Sequence, residues 1–223
     1  MKFIVAYSVE NDIQSHRDSA WRLAFLSHGR EDLQNKIINK YSDENFRKKI
    51  KLARTKKEAE IVINDYLSSM PEYIKNILPV IASGVENILN KKQQEIIDLL
   101  EKIYQKKFPF TKIGVFITAS FMCSYSYDEK WFRTGWRQTE EKHINTVRHE
   151  LNHFMFYHYY LSKLVKLGVN KEKREILKEA LAIFSNPEGN DKPAVKELEK
   201  FLLTIKNQSM DNIIKAAISS GVL

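Results

Sequence analysis

His149-Glu150-Leu151-Asn152-His153 is the stretch on which the reading of this chain turns. Residues four apart on an α-helix lie on one face, nearly a turn apart, so two imidazoles there can grip a single ion. At about 100° per residue, His153 falls about 40° from His149, and Glu150 about 100° away, toward a water on that ion. Zinc chemistry uses this geometry: the histidines hold the metal, and a carboxylate takes a proton from the metal-bound water as it attacks a carbonyl. Ile144, Val147, Leu151, Phe154, Leu161 and Val165 fall on the opposite side of the wheel. The helix is therefore expected to pack by one face and to line a cleft with the other. On the same wheel His158 falls among the packed residues and reads as a hydrogen-bonded core histidine. His143 is expected at the polar surface, and Tyr157 and Tyr160 on the metal side.

A catalytic zinc site takes three protein ligands and keeps one position open for water. The next helical stretch offers Glu175 and Glu179, four apart on a shared face. Glu179 sits within Ile176-Leu177-Lys178-Glu179-Ala180-Leu181-Ala182-Ile183-Phe184, which is apolar on nearly all sides. A carboxylate buried there without a partner is costly, and a metal is a natural partner. Glu175 follows Lys173-Arg174 in a more charged segment, where solvation costs little. Glu179 is the favoured third ligand, Glu175 the alternative, and Cys123 a more distant one. Tyr157, Tyr160, His143 and Arg133 are candidates for stabilising an oxyanion beside the metal, and the sequence does not rank them.

Thr111 to Cys123 is β-rich, with Ile113, Val115, Ile117 and Phe121 alternating onto one face. The first ten residues also read as a buried strand. A polar, aromatic loop with Trp131, Arg133 and Trp136 leads into a helix from about Thr139 to Leu167, ended by Gly168. A second helix spans about Lys171 to Ser185 and stops before Asn186-Pro187-Glu188-Gly189, and two more helical segments complete the chain. Upstream, about Ser15 to Gln105 is mostly helical in pattern. Ser42-Asp43-Glu44 reads as a helix start with the serine as cap. Spaced apolar residues from Glu72 to Lys107 predict amphipathic helices, with Pro79 breaking or kinking the stretch and Pro109 closing it. These elements define a helix-rich α+β fold with a small β-sheet. Residues 1–110 read as a mainly helical region with the first strand, and 111–223 as the metal-binding region.

Composition narrows the setting. A hydrophobic fraction of 43%, with 12 Phe, 10 Tyr and 3 Trp, supports a substantial core and excludes a disordered chain. No apolar run approaches the ~18–20 residues that span a bilayer, so no membrane is expected as a partner. The opening segment reaches Glu10 too soon for a secretory leader and lacks a small-residue cleavage site. The single cysteine, Cys123, excludes an intramolecular disulfide and suits a reducing compartment, so a cytoplasmic location is expected. The net charge is +8, from 36 basic and 28 acidic residues. The basic residues, as in Arg47-Lys48-Lys49-Ile50-Lys51, are mixed with acids on helical stretches and read as solvated helix faces. No nucleic-acid motif accompanies them, and nucleic acid is not an expected partner.

His149-Glu150-x-x-His153, followed on a later helix by Leu177-Lys178-Glu179-Ala180-Leu181-Ala182, resembles the zincin metallopeptidases. Among them it is most similar to the glutamate-ligand branch, the gluzincins. The resemblance implies a zincin-like domain in which His149, His153 and Glu179 bind zinc and Glu150 is the general base. It implies hydrolysis of a peptide or protein substrate, lying as an added strand along a rim formed by the strand that ends near Cys123. Its extent is about residues 112 to 185. Twenty-five residues separate His153 from Glu179, more than in most gluzincins. Lys178 stands where many members have asparagine, and Ile183 where some carry an acid. A zincin-like regulator that binds metal without turnover and acts through a protein partner is the alternative, and Glu150 favours catalysis over it.

Overall fold

The computed structural model describes residues 1–21, 38–39, 41, 43–120, 124–186, 188–189, 192–206 and 208–221. It is a helix-rich α+β structure with a four-stranded mixed sheet. In chain order come β1 (Lys2–Tyr7), α1 (Val9–Trp21), α2 (Glu44–Leu52), α3 (Lys56–Ser69) and α4 (Glu72–Tyr104). Then follow β2 (Lys112–Thr118), β3 (Tyr125–Ser126), β4 (Trp131–Gly135) and α5 (Glu140–Phe156). After α5 come a π turn (Tyr157–Leu161), α6 (Ser162–Lys166), α7 (Lys171–Leu181), a 3-10 turn (Ala182–Phe184), α8 (Pro193–Thr204) and α9 (Met210–Ser219). Two compact units interleave along the sequence. The first contains 1–3, 88–113 and 139–223, the second 4–87 and 114–138, and the junction at residues 110–111 falls inside the first. Among the described residues no helix is long and apolar enough to cross a membrane.

In the second unit the strands run in the order β1-β2-β4-β3, with β2 parallel to β4 and β3 antiparallel to β4. The alternation expected of β2 is present, since Ile113, Val115 and Ile117 are buried. Phe121 and Cys123 lie outside the described residues. At Gly114 a Cβ would stand 3.1 Å from the Trp131 Cβ, so the close approach of β2 and β4 there favours glycine. The expected loop at Trp131 is instead β4. Parallel strands are buried on both faces and so lose the polar/apolar alternation that announces a strand, and here Phe132, Arg133 and Thr134 are all buried. Arg133 donates to Asn11 Oδ1, to Ser124 Oγ and to Asp18 Oδ2 at 3.2 Å. The guanidinium is thus a structural tie within this unit and is withdrawn as an oxyanion stabiliser.

The helix starts follow local chemistry. The cap of α2 is Asp43, accepting from the Phe46 N–H at 2.9 Å, and not Ser42, which lies outside the described residues. Thr55 and Glu58 form a reciprocal capping box on α3. Helix α4 runs unbroken through Pro79. Pro79 is exposed while Leu78, Ala82, Val85 and Leu89 are buried, so the lost hydrogen bond falls on the wet face and packing carries the helix through. The helix ends at Tyr104, before Pro109, with Gln105 at φ 52°.

The first unit is built on one apolar cluster that includes Tyr104 of α4, Met155 and Phe156 of α5, Leu177 and Leu181 of α7, Leu198 and Leu202 of α8, and Ile213 of α9. Helix α5 begins at Thr139, whose hydroxyl accepts from Lys142 N–H, and α7 at Asn170, whose side chain accepts from Lys173 N–H at 2.9 Å. Gly168 sits at φ 73° before α7, as expected of a helix stop.

Candidate metal centre

Helix α5 brings His149 and His153 together as the i, i+4 spacing predicts, with ring centroids 4.3 Å apart. Helix α7 supplies Glu179. Its Oε2 is 3.6 Å from His149 Nε2 and its Oε1 is 3.6 Å from His153 Nε2. The three residues each offer a ligand atom within 4.8 Å of the others, the arrangement expected of a shared ion. Ligand atoms about 2.0–2.1 Å from zinc at tetrahedral angles stand about 3.3–3.4 Å apart, close to the separations here. The donor set is therefore one that could hold a metal ion. Glu175, the alternative, is turned to other partners: it accepts from the Tyr157 hydroxyl at 3.3 Å and from Lys178 Nζ at 2.7 Å.

The electrostatics follow from burial and charge. His153 is buried, and burial, with His149 next in weight, holds its pKa well below the ordinary value, so the ring is neutral as a ligand must be. At His149 burial pulls the pKa down, but hydrogen bonding to Glu179 and the charges of Glu150 and Glu179 outweigh it, and the net direction is up. Burial raises the Glu179 carboxyl, but His149, His153 and Lys178 outweigh it, so it is held well below the carboxylate range. Glu150 is buried, and its Oε2 has no hydrogen-bond partner among the described residues. Burial pushes its carboxyl up to about 7, with His149 and Lys178 opposing and Glu179 adding. A cavity of about 590 Å³ borders Glu179, lined also by Glu175, Ile176, Lys192 and Val195; His149, Glu150 and His153 are not in its lining.

Two residues of the centre escape a motif-based reading. Lys178 is buried, with its Nζ 3.2 Å from Glu179 Oε1 as well as 2.7 Å from Glu175 Oε2. Its signal was present: the burial cost that singles out Glu179 in an apolar run applies equally to a lysine beside it. Asn152, fully buried, accepts from the Tyr104 hydroxyl at 2.8 Å and donates to Leu181 O at 3.3 Å and Ser185 Oγ at 3.0 Å. It ties the histidine helix to α4 and to the end of the helix that carries Glu179.

Five expectations about this helical stretch change. Val165, expected on the packed face, is 52% exposed. Helix α5 does not pack by one face alone, since Glu150, Asn152, His153 and Phe156 are buried along with Val147, Leu151 and Phe154. His143 is buried rather than at the surface. His158 is exposed, edge-on to Phe110 and Tyr159, and Tyr160 is in the core beside Tyr104. Both of these last residues lie in the π turn, whose i→i+5 closure is wider than an α turn, so a step of about 100° per residue fails there. Of the oxyanion candidates, Tyr157 faces Glu175 and its neighbour Lys178.

His143 makes stability depend on pH. Burial lowers its pKa from 6.5, so below that value the unfolded chain binds more protons and stability falls as pH falls. Glu150, raised to about 7, acts in the opposite sense, gaining stability as pH falls toward the unfolded carboxyl value. The difference between wild type and His143→Gln isolates the histidine. The stability gap between the two proteins should narrow from pH 7.5 to pH 5.5 in urea denaturation, and a constant gap would contradict it.

Comparison of the chain with protein-family models, characterised proteins and solved structures finds no match to any of them.

Proposed function

We propose that the protein is a zinc-dependent peptide hydrolase with a zincin-like centre. The reading is carried by one observation: His149, His153 and Glu179, from two helices, converge with ligand-atom separations that suit one metal ion. His149 Nε2, His153 Nε2 and a Glu179 carboxylate oxygen would hold the zinc. When bound, zinc acidifies a coordinated water and polarises a substrate carbonyl. Glu150, buried beside the histidine pair, accepts the proton of the attacking water and delivers it to the leaving amine. Asn152 and Tyr104 fix the histidine helix, and His149, with His153 and then Lys178, keeps Glu179 anionic. The cavity beside Glu179 is the proposed entry for an extended peptide. The buried carboxylate of Glu150, with one oxygen lacking a hydrogen-bond partner among the described residues, supports turnover over a purely structural or regulatory ion, which has no use for a base.

Zinc titration of the purified protein tests the reading. One zinc per chain is expected, with hydrolysis of a casein or mixed-peptide substrate lost on chelation and restored by zinc. Glu179→Ala should weaken zinc binding by about 100-fold or more, the scale of losing a ligand rather than its support, while Glu175→Ala should stay within about threefold. Absence of zinc binding by the wild-type protein removes the proposal, and equal losses in the two variants would remove Glu179 as the ligand.

A further inference from the structure

The geometry points to Lys178 as the residue that keeps the proposed metal centre at three protein ligands, by holding Glu175 out of it; this rests on the metal reading above. Glu175 and Glu179 lie one helical turn apart on α7, and both line the same cavity. The Lys178 ammonium bridges them, 2.7 Å from Glu175 Oε2 and 3.2 Å from Glu179 Oε1, so the two carboxylates stand no farther apart than these distances together. Only Glu179 converges with the histidines. A divalent ion at that group attracts any nearby carboxylate, and one helical turn with a flexible side chain is within reach. Two contacts oppose that movement: the salt bridge from Lys178, and the Tyr157 hydroxyl on Glu175 Oε1 at 3.3 Å. The bridge is the stronger, being short, charged at both ends and buried on the lysine side, where the side chain is 3% exposed.

The difference between three and four protein ligands separates a catalytic zinc site from a structural one. A glutamate four residues before the ligand is a fourth ligand in waiting, and a cation between the two carboxylates divides their roles. Lys178 cannot itself coordinate while protonated, so its burial beside the centre supplies charge without supplying a ligand. It is a positioning residue, acting on the centre through Glu175.

Lys178→Met removes the charge and keeps most of the volume. Glu175 then joins the centre, and zinc affinity, measured by competition with a chromophoric chelator, should rise at least tenfold. The cobalt-substituted wild-type protein should change its visible spectrum on adding acetohydroxamic acid, whereas Lys178→Met should not respond. Lys178→Met/Glu175→Ala should return both readouts to the wild-type range, and Lys178→Arg should keep them there. Lys178→Gln carries the same expectation as the methionine variant should the latter fold poorly by circular dichroism. Unchanged affinity with a cobalt spectrum that still responds would overturn the role. Weaker zinc binding would overturn it too, because Lys178 would then serve only to hold Glu179. Failure of the wild-type protein to bind zinc would instead remove the metal reading on which the inference stands.

Discussion

Glu150→Gln is expected to leave zinc bound and to lower peptide hydrolysis by about three orders of magnitude, about 4 kcal/mol of transition-state stabilisation. Glutamine matches glutamate in size, and Glu150 is not among the three converging ligand residues, so zinc affinity should stay close to wild type. What is lost is a basic oxygen. Glu150 Oε2 is buried without a hydrogen-bond partner among the described residues, so none of these competes for it. The amide in its place accepts no proton. Turnover and zinc content measured on the same preparations decide the matter. A variant that holds zinc and still hydrolyses peptide at the wild-type rate would exclude Glu150 as the base. Loss of zinc along with turnover would instead place Glu150 among the groups that build the site.

Asn152→Ala is expected to destabilise the first unit by about 3 kcal/mol, although Asn152 is neither ligand nor base. The wild-type side chain satisfies three groups in a fully dry environment: the Tyr104 hydroxyl, the Leu181 carbonyl and Ser185 Oγ. Not all three are stranded by its removal. The Tyr104 hydroxyl keeps the Asn152 carbonyl at 3.1 Å, and Ser185 Oγ keeps the carbonyls of Ala182 and Arg148 at 3.1 and 3.3 Å. The Leu181 carbonyl loses its side-chain donor, and a small cavity opens between helices. Partial loss of the network plus that cavity sets the figure at the upper end of the range of about 1–3 kcal/mol for buried polar deletions. Asn152→Asp should cost at least as much, because a carboxylate cannot donate to Leu181 O and would carry charge into a site that is 0% exposed. Urea midpoints read by intrinsic fluorescence would show both effects, and a midpoint within about 0.5 kcal/mol of wild type for either variant would contradict the network's importance.

Much of the centre was legible because its signals are local and repetitive. The i, i+4 spacing of His149 and His153 needs nothing beyond helix geometry, and Glu179 announces itself as a carboxylate set in an apolar run. Thr139 marks its helix start by its side-chain hydroxyl, and Gly168 its helix end by a backbone free to take φ 73°. The features missed depend on partners distant in sequence or on hydrogen-bond register. Strand β4 exists because β2 pairs with it in parallel, and Trp131-Phe132-Arg133-Thr134-Gly135 read in isolation looks like a loop. His143 is buried by tertiary packing that no helical wheel contains. Pro79 misleads in the opposite direction, since a rule about isolated helices yields to the packing of its neighbours. The exposure of His158 and the burial of Tyr160 turn on a π turn, which has no compositional mark.

That π turn has a consequence for how the chain tolerates change in length. It is the conformation a helix adopts when one extra residue is accommodated without breaking either flank, and it lies immediately after Phe156, past both histidines. The helical phase that sets His149 and His153 is therefore complete before the irregularity begins, whereas Glu179 lies beyond it on α7. A residue gained or lost within Tyr157–Leu161 leaves the histidine pair in phase but shifts Tyr157, which faces Glu175, Tyr160, which packs beside Tyr104, and the short helix that follows. The turn thus separates the helical phase of the histidine pair from that of Ser162–Lys166.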